Sequence, residues 1–199
     1  MKNGRLRALW VIGGAALFAL LSQAEVYPLN SWNHVSLGML AMAVCCLEAG
    51  AVAGGLAGGL GQLLYYGWYY HLDWTLLLRL GPRFMGMALG TAAAGLLLGA
   101  LFHITNAWEK WTLRLLLNLA AALLASAAGL WLISSLADAF LQGYSLQMAL
   151  WRNRDWFVYN GAMVMASVPV AMILHPLLNS IRPVSAEEAW KRESEQKKG

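Results

Sequence analysis

Nine polar or aromatic side chains stand where apolar runs of this chain end, and together they could hold a small planar molecule: Gln62, Tyr66, Tyr69, Trp74, Arg83, Asp138, Trp151, Arg154 and Asn160. Trp32 joins them from a loop on the same side. Rings stack on a planar ligand, amides orient it, and an arginine takes a carboxylate in a forked pair of hydrogen bonds. Singly, each such residue is more often an anchor at a membrane boundary than a ligand contact, and it is their coincidence that points to binding.

Other chemistry lacks its residues. The chain has no HExxH, no GxSxG, and no glycine loop followed by Lys-Ser/Thr that would cradle nucleotide phosphates. His34, His71, His103 and His175 fall in four different connections or helix ends. A zinc centre would need a further ligand, and only Asp73 or Asp138 offers one. No serine or cysteine is spaced beside a base for nucleophilic attack. We therefore expect neither an enzyme nor a metal or cofactor. The adjacent Cys45 and Cys46 read as small packing residues, because a disulfide between neighbours is strained.

The element that positions the cluster is the stretch AGAVAGGLAGGLGQLLYYGWYY, Ala49 to Tyr70. Gly50, Gly54 and Gly58 recur at spacing four, with Gly55 and Gly59 as a second row. In a helix such rows form a groove that lets neighbouring backbones approach closely. After Gln62 the segment turns aromatic, with Tyr65, Tyr66, Trp68, Tyr69 and Tyr70 at an expected membrane boundary.

Hydrophobic residues make up 59% of the 199-residue chain and charged residues 12%. Soluble domains carry roughly a quarter charged residues, so this composition predicts an integral membrane protein. The net charge of +4 forms no continuous stripe, which excludes nucleic acid as a partner. The basic flank Lys2, Arg5 and Arg7 before Leu6 to Ala24 imitates a signal peptide, but the apolar run is long for one and is expected to be retained.

About 20 apolar residues cross a bilayer as a helix, and six segments come near that: 6–24, 34–47, 49–70, 84–102, 112–141 and 156–181. We expect an all-α six-helix membrane domain over residues 1–184 and a charged tail over 185–199. Glu48 should occupy an exposed turn, Gly81-Pro82 should break the chain before the fourth helix, and 142–155 should form a connection. With both termini cytoplasmic, ten of the fourteen Lys and Arg lie inside, and Arg79, Arg83, Arg152 and Arg154 lie outside. Outer arginines against that bias suggest an anion, or ion pairs to Asp73 and Asp155.

This layout, from Arg5 to about Arg182, resembles the substrate-binding subunit of energy-coupling factor transporters, which capture vitamins for bacterial uptake. The alanine pair Ala15 and Ala19 is similar to the small-residue motif by which that family docks on its coupling subunit. The hairpin LEAGAVAGGLAGGLGQLL resembles the family's tight second turn and glycine-rich third helix, and Trp156 to Gly161 resembles the start of its last helix. The resemblance implies a multi-pass protein of the bacterial cytoplasmic membrane. Its implied partners are a transmembrane coupling subunit and two cytoplasmic ATPases that supply the hydrolysis. Acidic residues line the mouth in cation-binding members; the arginines here favour an anionic or carboxylated cargo. The alternative class is a membrane scaffold or sensor without a transported ligand.

Overall fold

The computed structural model describes residues 2–24, 35–69 and 73–181. Trp32, His34, His71 and the tail 185–199 lie outside the described residues, and Trp74 opens a helix but its side chain also lies outside them. Everything described is helical or a short connection: α1 (Lys2–Ser22), α2 (Gly38–Ala49), α3 (Ala51–Tyr69), α4 (Trp74–Thr105), α5 (Trp111–Ser126), a π-helical stretch (Ala127–Ile133), α6 (Ser134–Gln142) and α7 (Leu146–Ile181). Because α5, the π stretch and α6 follow without a break, they form one rod. Three stretches are long and apolar enough to cross a membrane, Arg79–Thr105, Trp111–Gln142 and Leu146–Leu178. Leu6–Ser22 and Gly38–Ala49 are shorter apolar helices.

The glycine rows work on two sides of α3. A methyl group on Gly54 or Gly58 would meet α2, at the Cys46 Cα (3.0 Å) and the Met42 Sδ (2.8 Å). On Gly55 or Gly59 it would meet α4, at the Ala92 carbonyl (3.0 Å) and the Ala92 Cβ (2.9 Å). From α4, Gly95 and Gly99 return the approach, onto the Gly54 carbonyl and the Ala51 Cα. Backbone therefore lies almost against backbone, as helix pairing in lipid requires where no hydrophobic drive exists. The cysteines behave as packing residues: both are buried, with Cys46 donating to the Gly95 carbonyl at 3.2 Å.

Four expectations are corrected. Gly50 is not part of the helical ladder: it is the whole connection between α2 and α3, with φ 88° and ψ −176°, a conformation nearly confined to glycine. Glu48 is thus inside the last turn of α2, and its side chain is 1% exposed rather than solvated. Pro82 does not break the chain; α4 runs through it for 32 residues, about 48 Å at 1.5 Å per residue. One missing N–H donor is tolerated in a long helix packed on its neighbours. Finally, α7 begins at Leu146, not Trp156, because Gly143 in the left-handed region (φ 69°) ends α6 at once and leaves only a three-residue connection.

The α5–α6 rod carries a row at spacing four: Asn118, Ala122, Ser126, Leu130, Ser134 and Asp138, every one of them 0–2% exposed. In a straight α-helix each step of four overshoots a full turn by about 40°. Over five steps the row would swing from the core to the opposite face. The π stretch in its middle turns less per residue, which brings the second half back toward the core.

Candidate ligand site

The start of α1, the last turns of α7 and the α2–α3 turn meet at one end of the bundle, where His175 of α7 reaches Glu48 and where Arg7, Trp10, Gly50 and His103 share one cavity. The candidate residues fall toward the other end. At its centre is Gln62, 0% exposed, on the row Gly58, Gln62, Tyr66 along α3. Gly58 faces Met42 and Thr91, while Tyr66 stacks on Phe84 at 4.3 Å and donates its hydroxyl to the Met87 Sδ at 2.9 Å. Gln62 therefore lies in the seam of α3 with α2 and α4. Neither its amide nitrogen nor its amide oxygen finds a hydrogen-bond partner among the described residues. A buried amide left so costs about 1–3 kcal/mol. The hydroxyls of Ser126 and Ser134, on the inward row of the neighbouring rod, are buried without partners as well.

Asp138 forms a second polar group. It is 2% exposed, and its two oxygens accept from Gln142 Nε2 (2.8 Å) and Asn153 Nδ2 (2.9 Å). Asn153 also donates to Ser135 at 3.4 Å. Gly86 of α4 leaves the space that the carboxylate fills, since a methyl group there would meet it directly. Gln142 and Asn153 were not among the expected site residues. Their signal was available, as amides four and fifteen positions from Asp138, but only a helical reading of 146–155 brings Asn153 onto it.

Asn160 serves the fold. Its Oδ1 accepts from the Ser36 backbone N–H at 2.9 Å and its Nδ2 donates to the Trp156 carbonyl at 3.3 Å. Ser36 in turn shares a 2.6 Å hydrogen bond with Ser22, so α1, the start of α2 and α7 are joined through one buried chain. The asparagine expected to face a ligand instead satisfies the helix start.

Other expected residues face outward. Trp151 is 64% exposed, and Arg154 lies over its ring at 4.2 Å while bonding Asp155 at 3.2 Å. Arg152 lies over Tyr144. These basic groups are held by rings and by Asp155, one of the two carboxylates anticipated for them. The other, Asp73, accepts from the Thr75 N–H at 2.9 Å and caps the start of α4. Tyr69 is exposed at its ring-lined edge of α3, while Arg83 stays half-buried beside Phe84. The structure thus brings Gln62 and Tyr66 together, sets Asp138 in its own amide network, and leaves Trp151 and Arg154 on the outer face.

Ala15 and Ala19, expected to dock on a partner, are 3% and 4% exposed and pack inside the chain's own bundle. The outward face of α1 is Leu9, Ile12, Gly13, Ala16 and Leu20. A spacing of four does not say which of two adjacent rows faces in, and here the Ala15 row is taken by α2 and α3. Comparison with protein-family models, with curated proteins and with solved structures finds no match.

Proposed function

We propose that this chain captures a small planar molecule within a bundle of six membrane-crossing rods, both termini on the cytoplasmic side, as the substrate-binding subunit of an energy-coupling factor importer. The observation that carries this reading is Gln62. A side chain with one donor end and one acceptor end, held fully buried beside a stacked Tyr66–Phe84 pair and the Met87 thioether, matches a ligand that offers an acceptor and a donor on adjacent ring atoms. A vitamin-like heterocycle has that edge. With Arg152 and Arg154 turned outward, preference for an anionic or carboxylated cargo rests on Arg83 alone.

The chain supplies capture and no energy. Hydrolysis belongs to two ATPases, and contact with them to a coupling membrane protein. Since Ala15 and Ala19 are inside, the face offered to that partner is the Gly13–Ala16 side of α1, where a side chain on Gly13 would meet nothing. An apolar cavity of about 530 Å³ runs beside it, between α1, α2 and α7.

The test is retention. Protein purified in mild detergent is denatured and the supernatant examined by mass spectrometry. The reading expects one heteroaromatic compound at near-equimolar yield from the wild type and its absence from Gln62→Leu. A scaffold or sensor would release nothing from either, and would still gain stability from the leucine.

A further inference from the structure

Another cavity, of about 510 Å³, opens on the outside of the bundle where α7 begins, away from Gln62. Its floor is apolar and aromatic: Trp131 from the π stretch, with Met148, Leu150 and Trp151 from the first turns of α7. Its rim is polar: Ser145, Gln147 and Arg154. Trp131 is fixed there, its indole N–H donating to the Leu150 carbonyl at 3.0 Å and its ring stacked on Phe157 at 5.6 Å. Arg154 is held as well, its guanidinium carbon 4.2 Å from the centre of the Trp151 ring, and gives its Nε–H to Asp155. A guanidinium has four further N–H donors in a planar fork suited to phosphate oxygens.

The surroundings say what reaches this groove. On the same rod as Trp131, the bulky apolar side chains Leu132, Leu136 and Phe140 are 45%, 44% and 87% exposed. Met148, Trp151 and Val158 of α7 are 51%, 64% and 51% exposed. Both helices are long and apolar enough to cross a membrane, so the part of this face on the far side of Arg154 from the α6–α7 turn, with Leu132 and Val158, suits acyl chains. Tryptophan and arginine at its upper edge stand at headgroup depth. The first amides of α7, beside Ser145 and Gln147, add the positive end of a helix dipole.

We infer that this groove is a phospholipid site: the phosphodiester sits against Arg154 and the polar rim, and the acyl chains leave over Trp131 toward Leu132 and Val158. It would hold a lipid against the π stretch, the part of the rod that sets the inward row. The cation is what separates this site from ordinary greasy contact, because diacylglycerol offers the same chains without the charge.

Native mass spectrometry of the full chain in mild detergent, supplied with one lipid at a time, tests this. Phosphatidylglycerol should be retained as a single adduct, and diacylglycerol with the same chains about tenfold less. Arg154→Ala should bring phosphatidylglycerol down to the diacylglycerol level, and Arg152→Ala, whose guanidinium covers Tyr144, should leave it unchanged. If Arg154→Ala is not monodisperse, Arg154→Gln replaces it with the same expectation. Equal retention of the two lipids by the wild type, or an unchanged adduct in the Arg154 variants, overturns the proposal. So does tight binding of sn-glycerol-3-phosphate alone, which would make this a site for a soluble phosphate.

Discussion

Glu48 at the end of α2 and His175 near the end of α7 are joined by a 2.6 Å hydrogen bond between Oε1 and Nδ1, across 127 positions of sequence. The carboxylate is 1% exposed and the imidazole 40%. The pair ties the glycine turn at Gly50 to the last rod, and so closes one end of the bundle. Buried charge inside an apolar helix persists only with partners.

Loss of His175 should therefore cost more than the exposure of its ring suggests, because it removes a partner of the buried carboxylate. We expect His175→Ala and Glu48→Ala each to destabilise by about 1–3 kcal/mol. The double variant should cost less than the sum of the two singles, as residues in contact do not add. Thermal unfolding in detergent checks this, and strict additivity would show that the pair is not energetically coupled.

At Gln62 the expected signs oppose each other. Gln62→Leu should raise the melting temperature of the ligand-free protein, by relieving an unmade pair of hydrogen bonds worth about 1–3 kcal/mol, and should remove ligand. A fall in stability without ligand would mean that ordered water satisfies the amide.

Two helical glycines separate close approach from mere helix flexibility. Gly86→Ala places a methyl group on the Asp138 carboxylate and should cost about 1–3 kcal/mol by pushing it off Gln142 and Asn153. Gly13→Ala of α1 meets nothing within 4 Å and should be neutral or stabilising by up to about 1 kcal/mol. The comparison is read from the two melting curves.

Under the transport reading, Gly13→Trp should leave ligand capture intact and abolish co-purification with a coupling subunit. Ala15→Trp should lose both, because it drives an indole into the packed interior. If Ala15→Trp folds and captures ligand, α1 is oriented the other way.

Much of this was legible in the sequence. The glycine rows of α3 gave close packing directly, since small residues four apart line one side of a helix, and the two cysteines read as filler because a disulfide between neighbours is strained. Asp138 was picked out as a carboxylate within an apolar run. What escaped was whatever depended on a partner far along the chain. Nothing local tells Glu48 that His175 will cover it, or distinguishes the Ala15 row from the Gly13 row. Proline and glycine signals misled at Gly81-Pro82, where packing outweighed one lost hydrogen bond. The charged run Trp151 to Asp155 looked like a loop because it is polar, yet its spacing suits a helix with one wet face.

The π stretch over Ala127–Ile133 makes the facing of α6 depend on how those seven residues are wound. If these seven residues rewound to ordinary α-helix at unchanged length, everything beyond them would revolve by roughly 120°. Asp138 would then swing away from Asn153 toward hydrocarbon. A chain of this design can therefore shed one residue within 127–133, which restores α winding with the facing nearly kept, more readily than it can lose the π winding at full length.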